Sequence, residues 1–223
     1  MRPLHYDHST AVELLLEQTT EFVRAAGSFS EYDLLGASLV HGWSRLDVVV
    51  HVRAGLEEMV GVCAALVDDA PDHDAASYWS SFADVDDGPD AAVPAILWMR
   101  RTAAAYQRPS GALRHLTDVV GTGRLALARM PDHAVLFQAK AMTSGDFLAT
   151  WVVELAVHQL DLGADAGHPT AGSLGVVRRT VEALADADLP ADWDDEEAAL
   201  VALGRRPLPE GAGHLAGALP LSL

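Results

Sequence analysis

The sequence has little cysteine, little lysine and no long apolar run, and each absence excludes a class of protein. A lone Cys63 among 223 residues cannot form an internal disulfide. The 15 basic residues, of which only Lys140 is a lysine, stand against 32 acidic ones, and the formal net charge is −17 at pH 7. Such a surface repels phosphate, so nucleic acid and anionic membranes are not expected partners. No apolar stretch reaches the roughly 18 residues of a membrane helix, and the N-terminus lacks a signal-peptide pattern, so a cytoplasmic protein is expected.

Hydrophobic residues, by contrast, make up half of the chain, which is enough for one sizeable core. Ser9 and Ser44 are the expected N-caps of the first two helices, and Asp47 completes a capping box with Ser44. Periodicity predicts four main helices at about residues 9–26, 44–68, 89–107 and 144–163. It also predicts a further amphipathic stretch at 112–129 and two later helices at 173–187 and 194–204. The expected fold class is therefore mainly all-α.

The expected organisation is a four-helix bundle over residues 1–168, followed by a short helical extension and tail over 169–223. Recurring Asp, Pro and Gly predict a loop from about residue 68 to 90, and proline and glycine predict an extended tail at the C-terminus. The segment AVLFQAKAM is expected to be a short extended piece.

One stretch of the fourth predicted helix, WVVELAVHQLDL at residues 151–162, places charged residues in an apolar run. A buried ionised carboxylate is costly unless a partner compensates it. Glu154 and His158 lie four residues apart and Asp161 three further on, so a helix presents all three on one face. Glu154 therefore either faces solvent or has a partner elsewhere in the sequence.

His51 is the expected partner, because it interrupts the apolar run VVVHV in the second predicted helix. Aligning the two helices brings His51, Glu154 and His158 around one point, and two histidines with one carboxylate leave a coordination position open, as in catalytic zinc sites. Asp47 and Asp161 each lie one turn from a histidine and are expected to accept from its ring N–H. A Glu and a His four residues apart also occur often as a plain surface pair, so the spacing alone leaves both interpretations open.

Four further residues are candidates to line a substrate cleft beside these ligands: His41, Trp43, Arg53 and Trp151. A solvated histidine, a solvated arginine and core tryptophans are the competing interpretations. The chain offers no nucleophile of its own, because Cys63 lies on an apolar helix face and no serine lies in a nucleophile elbow. The nucleophile is therefore expected to come from outside the chain.

The segments HGWSRLDVVVHV and VVELAVHQLDL together resemble the mycothiol-dependent maleylpyruvate isomerase N-terminal domain family of the DinB-like superfamily. The residues that carry the resemblance, which covers about residues 8–165, are Gly42, Trp43, Ser44, His51, Glu154, His158 and Asp161. It implies a DinB-like four-helix bundle with zinc or another divalent metal at His51, Glu154 and His158. It also implies a low-molecular-weight thiol as cosubstrate, typically the mycothiol of actinobacteria.

Two departures accompany this resemblance. Family isomerases often have a sizeable C-terminal domain that contributes an active-site arginine, and the sequence does not match that residue to Arg178, Arg179, Arg205 or Arg206. The proline usual before Gly-Trp is His41 here. The unmatched arginine favours a substrate other than maleylpyruvate, and His41 predicts a different cleft mouth.

The sequence thus predicts an enzyme that activates a small thiol for S-transfer to, or thiol-assisted conversion of, a small electrophilic metabolite. A thiol with an unperturbed pKa of about 8.5 is deprotonated by coordination to a divalent cation. The alternatives are a cis–trans isomerase of the maleylpyruvate type, a metal-dependent hydrolase that uses water, and a metal-binding protein without catalysis. The expected oligomeric state is a monomer or a homodimer.

Overall fold

Helices form most of the regular structure in this computed structural model, which describes residues 1–80 and 90–221. They are α1 (His8–Gly27), α2 (Glu31–Leu34), α3 (Arg45–Val62), α4 (Ser77–Ser80), α5 (Val93–Ala104), α6 (Pro109–Leu127), α7 (Ser144–Asp161), α8 (Ala171–Ala185) and α9 (Asp195–Ala202), with 3₁₀ turns at Ala164–Ala166 and Glu210–Leu215. An antiparallel hairpin, β1 (Ala134–Phe137) and β2 (Lys140–Thr143), precedes α7. The predicted mainly all-α class is confirmed, and so is the extended piece before the last bundle helix.

The centre of the fold is a DinB-like four-helix bundle of α1, α3, α6 and α7. α1 packs against α6 and α7, and α3 packs against the same two helices. α7 is buried along almost its whole length, because its sequence is apolar on nearly every side. No described helix is both long and apolar enough to cross a membrane.

The identity of one bundle helix differs from the prediction. The third predicted helix, at about 89–107, forms α5, which packs against α3 outside the bundle and leaves Val93, Leu97 and Trp98 exposed. α6 takes its place, because α6 has a continuous buried stripe whereas α5 buries only Met99 and Ala103. Residues 81–89, which include the predicted start of this helix and part of the predicted loop, lie outside the described residues.

The ends of α1 and α3 also differ from expectation. Asp7, and not Ser9, caps α1, because its side chain accepts from the backbone N–H of Thr10. The predicted capping box of Ser44 and Asp47 is present at the start of α3. α3 stops at Val62 and not near residue 68, since the following backbone bonds to β1 through residues 65 and 67.

The C-terminal extension packs on the bundle. α8 lies against α7 and α1, α9 lies against α8, and their buried side chains join the same hydrophobic core. The tail is not extended throughout, because residues 210–215 form a 3₁₀ turn whose Leu215 is buried, and Leu219 is buried after it. The boundary at residues 168 and 169 stays a prediction.

Candidate metal centre and cleft

The antiparallel packing of α3 and α7 brings three polar side chains together. Nε2 of His51 lies 2.9 Å from Oε1 of Glu154, and Nε2 of His158 lies 3.3 Å from the same oxygen. One ligand atom from each residue falls within 4.8 Å of the other two. These three residues, called the candidate ligands below, supply the donor set that a divalent metal with an open coordination position requires.

The candidate ligands are partly buried and electrostatically coupled. Burial opposes the charge on Glu154, but His158 and His51 outweigh it and hold the pKa of the Glu154 carboxyl well below its usual range. Burial likewise opposes the charge on His158, yet Glu154 and Asp161 raise the pKa of its imidazole to about 9. The metal-free centre therefore holds an ionised carboxylate and a protonated His158 at neutral pH.

Asp161 orients His158 from behind. Its Oδ2 lies 3.0 Å from Nδ1 of His158, and its side chain is fully buried. Arg205 approaches the same carboxylate with Nε at 3.0 Å and Nη2 at 3.1 Å, so the pair is bidentate. Asp161 therefore lies where it can accept from a ring N–H of His158 at Nδ1, which leaves Nε2 of His158 directed at Glu154.

Asp47 has a different set of contacts from the expected one. Its carboxylate accepts from the backbone N–H and the hydroxyl of Ser44, both at 2.7 Å. Within the described residues it forms no hydrogen bond with His51, because the capping box turns the side chain toward the start of α3. Trp43 instead contacts the histidines: it meets the ring of His51 edge-on at 5.2 Å and stacks on the ring of His158 at 6.5 Å.

A cleft of about 460 Å³ opens in front of the candidate ligands. Two of the predicted cleft residues, Trp43 and Trp151, line it. His41 lies in a neighbouring open groove. Arg53 is not among the cleft residues, because its guanidinium pairs with Glu57 one turn later on α3.

The cleft also contains residues that the sequence did not single out: Val40, Gly55, Glu58, Tyr78, Trp79, Phe137, Gln138, Thr150 and Arg205. One of them carried a usable signal, since Glu58 lies seven residues after His51 and so on the same helical face. Gly55 and Thr150 lie on α3 and α7 themselves, and Val40 lies just before α3. The remaining residues come from α4, the hairpin and the segment after α9, which only the packing brings to α3 and α7. Arg205 belongs to the set of arginines that the sequence left unassigned.

Comparison with known proteins gives a consistent result. A family model described as the mycothiol maleylpyruvate isomerase N-terminal domain matches residues 15–163. Two solved structures have a similar fold: a mycothiol-dependent maleylpyruvate isomerase, at TM-score 0.53 and 17% identity, and a histidine-to-alanine mutant of a mycothiol-dependent maleylpyruvate isomerase, at 0.54 and 16%. Both alignments cover 78% of this chain and 69% of the other. No curated protein matched the chain.

Proposed function

Because the chain belongs to the mycothiol maleylpyruvate isomerase N-terminal domain family, we propose that it is a mycothiol-dependent isomerase of a small cis-unsaturated acid of the maleylpyruvate type. The observation that carries the proposal is the cleft itself, where the candidate ligands and Arg205 lie together. The family supports the thiol, and the position of Arg205 supports an acidic substrate.

A divalent cation, most readily zinc, would be held by His51, Glu154 and His158. The fit is supported by the convergence of two imidazoles and one carboxylate, and by the buried Asp161 that orients His158. When bound, such a cation lowers the pKa of a coordinated thiol and supplies a thiolate at neutral pH. Trp43 stacks on the ring of His158 and meets the ring of His51 edge-on, so it limits the access of water from that side.

Arg205 is the candidate anchor for a substrate carboxylate. Three of its N–H donors are directed to Asp161 and the backbone carbonyl of Leu203. A guanidinium has five N–H donors, so two remain for a bidentate or single contact with a carboxylate. Since Asp161 also fixes His158, one buried carboxylate holds both the anchor and a candidate ligand in place.

The proposed reaction needs no net redox change. The thiolate sulfur adds to one carbon of the conjugated double bond, and the electron pair of that bond moves onto the neighbouring carbonyl oxygen as an enolate. Rotation about the resulting single bond follows. The enolate then reforms the double bond and expels the thiolate, so the product is the trans isomer and the thiol is regenerated.

S-transfer, the first expectation from the sequence, is the second candidate. It shares the addition step and ends when the enolate is protonated and the sulfur stays on the product. The observation that favours it is the commitment of Arg205 to Asp161, because a substrate carboxylate must share the guanidinium with a buried partner.

The test is a proton NMR assay of maleylpyruvate with mycothiol and zinc-loaded protein. Conversion to the trans isomer is expected only when thiol and metal are both present, and His51→Ala should lose metal and activity together. His41→Ala is the matched control, since this histidine lies in the neighbouring groove. A product that keeps the sulfur would establish S-transfer, and a hydrolysis product formed without thiol would establish a hydrolase. Metal binding without turnover would overturn the enzyme assignment.

A further inference from the structure

The cleft extends along α3 well past the candidate ligands. His51 lies opposite Glu154, and Glu58 lies two turns later on the same helical face and lines the same cleft. At a rise of 1.5 Å per residue, Glu58 is about 10 Å beyond His51 along the helix axis. Arg205 lies at the other end, because its partner Asp161 is two turns beyond Glu154 on the antiparallel α7. The cleft therefore has an inner end with a guanidinium and an outer end with a carboxylate.

Glu58 is not neutralised by a neighbour. It is exposed and has no ion pair or hydrogen bond with another described residue. The adjacent Glu57 differs, because it pairs with Arg53 and His115. Residues 81–89, which the structure does not describe, contain no lysine, arginine or histidine. The charge of Glu58 is therefore available to a ligand in the cleft.

Gln138 provides a second polar group at the outer end. It lies in the turn between β1 and β2, where Gln138 and Ala139 have positive φ angles of 50° and 62°. Two-residue turns with positive φ at both positions favour Asn-Gly, so this turn keeps a strained residue at the edge of a cleft. The Tyr78 hydroxyl donates to Oε1 of Gln138 at 3.3 Å, which leaves the amide nitrogen as a donor for a ligand.

We propose that Glu58 and Gln138 form a subsite for the uncharged, hydroxyl-rich part of the thiol cosubstrate, and that Glu58 determines which thiol the cleft accepts. A carboxylate accepts hydrogen bonds from hydroxyls and an amide nitrogen donates to them. The neighbouring Tyr78 and Trp79 offer aromatic surface to the carbon skeleton of a ring. A thiol with carboxylates in this position meets the like charge of Glu58. The inference rests on the proposed function, since it places the sulfur at the candidate ligands.

A sulfur-free probe tests the subsite without any turnover. Mycothiol joins an acetylated cysteine to a neutral glucosamine–inositol unit, and N-acetylglucosaminyl-inositol reproduces that unit. Isothermal titration calorimetry on metal-free protein should show binding that Glu58→Gln weakens about tenfold, because a hydrogen bond to a charged group is lost. Gln138→Ala should also weaken it. Glu17→Gln, which removes the same charge from an exposed position on α1, should leave it unchanged.

Thiol selectivity is the second measurement. The affinity ratio of mycothiol to glutathione, which carries two carboxylates, should fall about tenfold or more in Glu58→Lys and stay constant in Glu17→Lys. A wild-type protein that does not bind the probe, or a folded Glu58→Lys with an unchanged ratio, overturns the inference. Mycothiol-dependent turnover with an unchanged ratio leaves the proposed function intact. Probe binding that depends on Glu58, without any thiol-dependent turnover, would support the subsite and contradict the proposed function.

Discussion

At the residue scale, Asp47 and Asp161 have different tasks although each lies one turn from a candidate ligand histidine. Asp47 caps α3 through Ser44. Asp161 binds Nδ1 of His158 and the guanidinium of Arg205. The sequence spacing alone does not distinguish the two aspartates. Substituting each of them distinguishes the residue that caps a helix from the residue that orients a candidate ligand.

Asp161→Asn is expected to weaken metal binding about 10–100-fold without abolishing it, as is typical for groups that orient a ligand. Asp47→Asn is the matched control, because it should lower the free energy of unfolding by roughly 0.5–2 kcal/mol through the damaged cap and leave metal affinity unchanged. Competition with a chelating indicator measures the affinity, and urea unfolding measures the stability. Complete loss of metal in Asp161→Asn would place this residue among the ligands.

The pH dependence of metal binding follows from His158. Its pKa is raised to about 9 in the metal-free protein, so the imidazole is protonated at neutral pH and must lose a proton to bind a metal. About one proton should be released for each ion bound. Metal affinity should therefore increase about tenfold per pH unit until pH approaches 9. The free energy of unfolding of the metal-free protein has the opposite pH dependence. The contribution of the charged His158 is complete below about pH 6.5 and is lost as pH rises through 9.

Calorimetry in buffers of different ionisation enthalpy measures the protons released on zinc binding. About one proton should be released at pH 7.5 in the wild type and less in Asp161→Asn, because Asp161 contributes to the raised pKa. Zinc binding with no proton release at that pH would contradict the assignment of His158 as a ligand with a raised pKa.

At the element scale, the contact between α3 and α7 depends on Gly55. A Cβ at this position would lie 2.8 Å from the ring of Trp151, closer than packed carbon atoms approach. Gly55 therefore allows Trp151 to lie across α3 and to form the wall of the cleft beside the candidate ligands. Glycine has a low helix propensity and so does not favour α3 itself. Its presence at position 55 is therefore explained by the packing of α3 against α7.

Gly55→Ala is expected to lower the free energy of unfolding by about 1–3 kcal/mol, because the Trp151 ring has to move. Gly61→Ala is the control in the same helix. A Cβ at Gly61 meets nothing within 4 Å, so alanine there should raise stability by up to about 1 kcal/mol. Urea unfolding followed by tryptophan fluorescence compares the two variants, and equal stabilities would show that the ring of Trp151 is not confined by Gly55.

At the scale of the whole molecule, the C-terminal extension completes both the core and the site. α8 covers parts of α1 and α7, and the segment after α9 supplies Arg205 to the buried Asp161. The guanidinium compensates a carboxylate that is fully buried. The extension and the bundle therefore share a hydrophobic core and an ion pair.

A protein truncated after residue 168 is expected to be strongly destabilised, since it exposes the surface under α8 and leaves Asp161 without its guanidinium. A protein ending at residue 207, which keeps α8, α9 and Arg205, should lie between it and the full chain because it loses only the tail with its buried Leu215 and Leu219. Thermal unfolding by circular dichroism measures all three. A 1–168 fragment as stable as the full chain would instead make residues 1–168 an independent domain.

Features that depend on local spacing could be predicted from the sequence. The 3.6-residue period placed His51, Glu154 and His158 on the apolar faces of two helices, and the residue types predicted the capping box of Ser44 and Asp47. The mainly helical class and the extended piece before α7 followed from the same kind of pattern. These features are local because a helix or a turn is fixed by residues within a few positions of one another.

Which helix faces meet depends on the packing of the whole fold. The packing makes α6, and not α5, a bundle helix. The contact of Asp47 with Ser44 directs it away from His51, and the packing brings Gln138 and Arg205 to the cleft. Arg205 lies 44 positions from Asp161 in the chain, so no helical or strand period connects them. Their contact depends on how α8 and α9 pack against α7, and that is set by shape and buried area summed over the whole core.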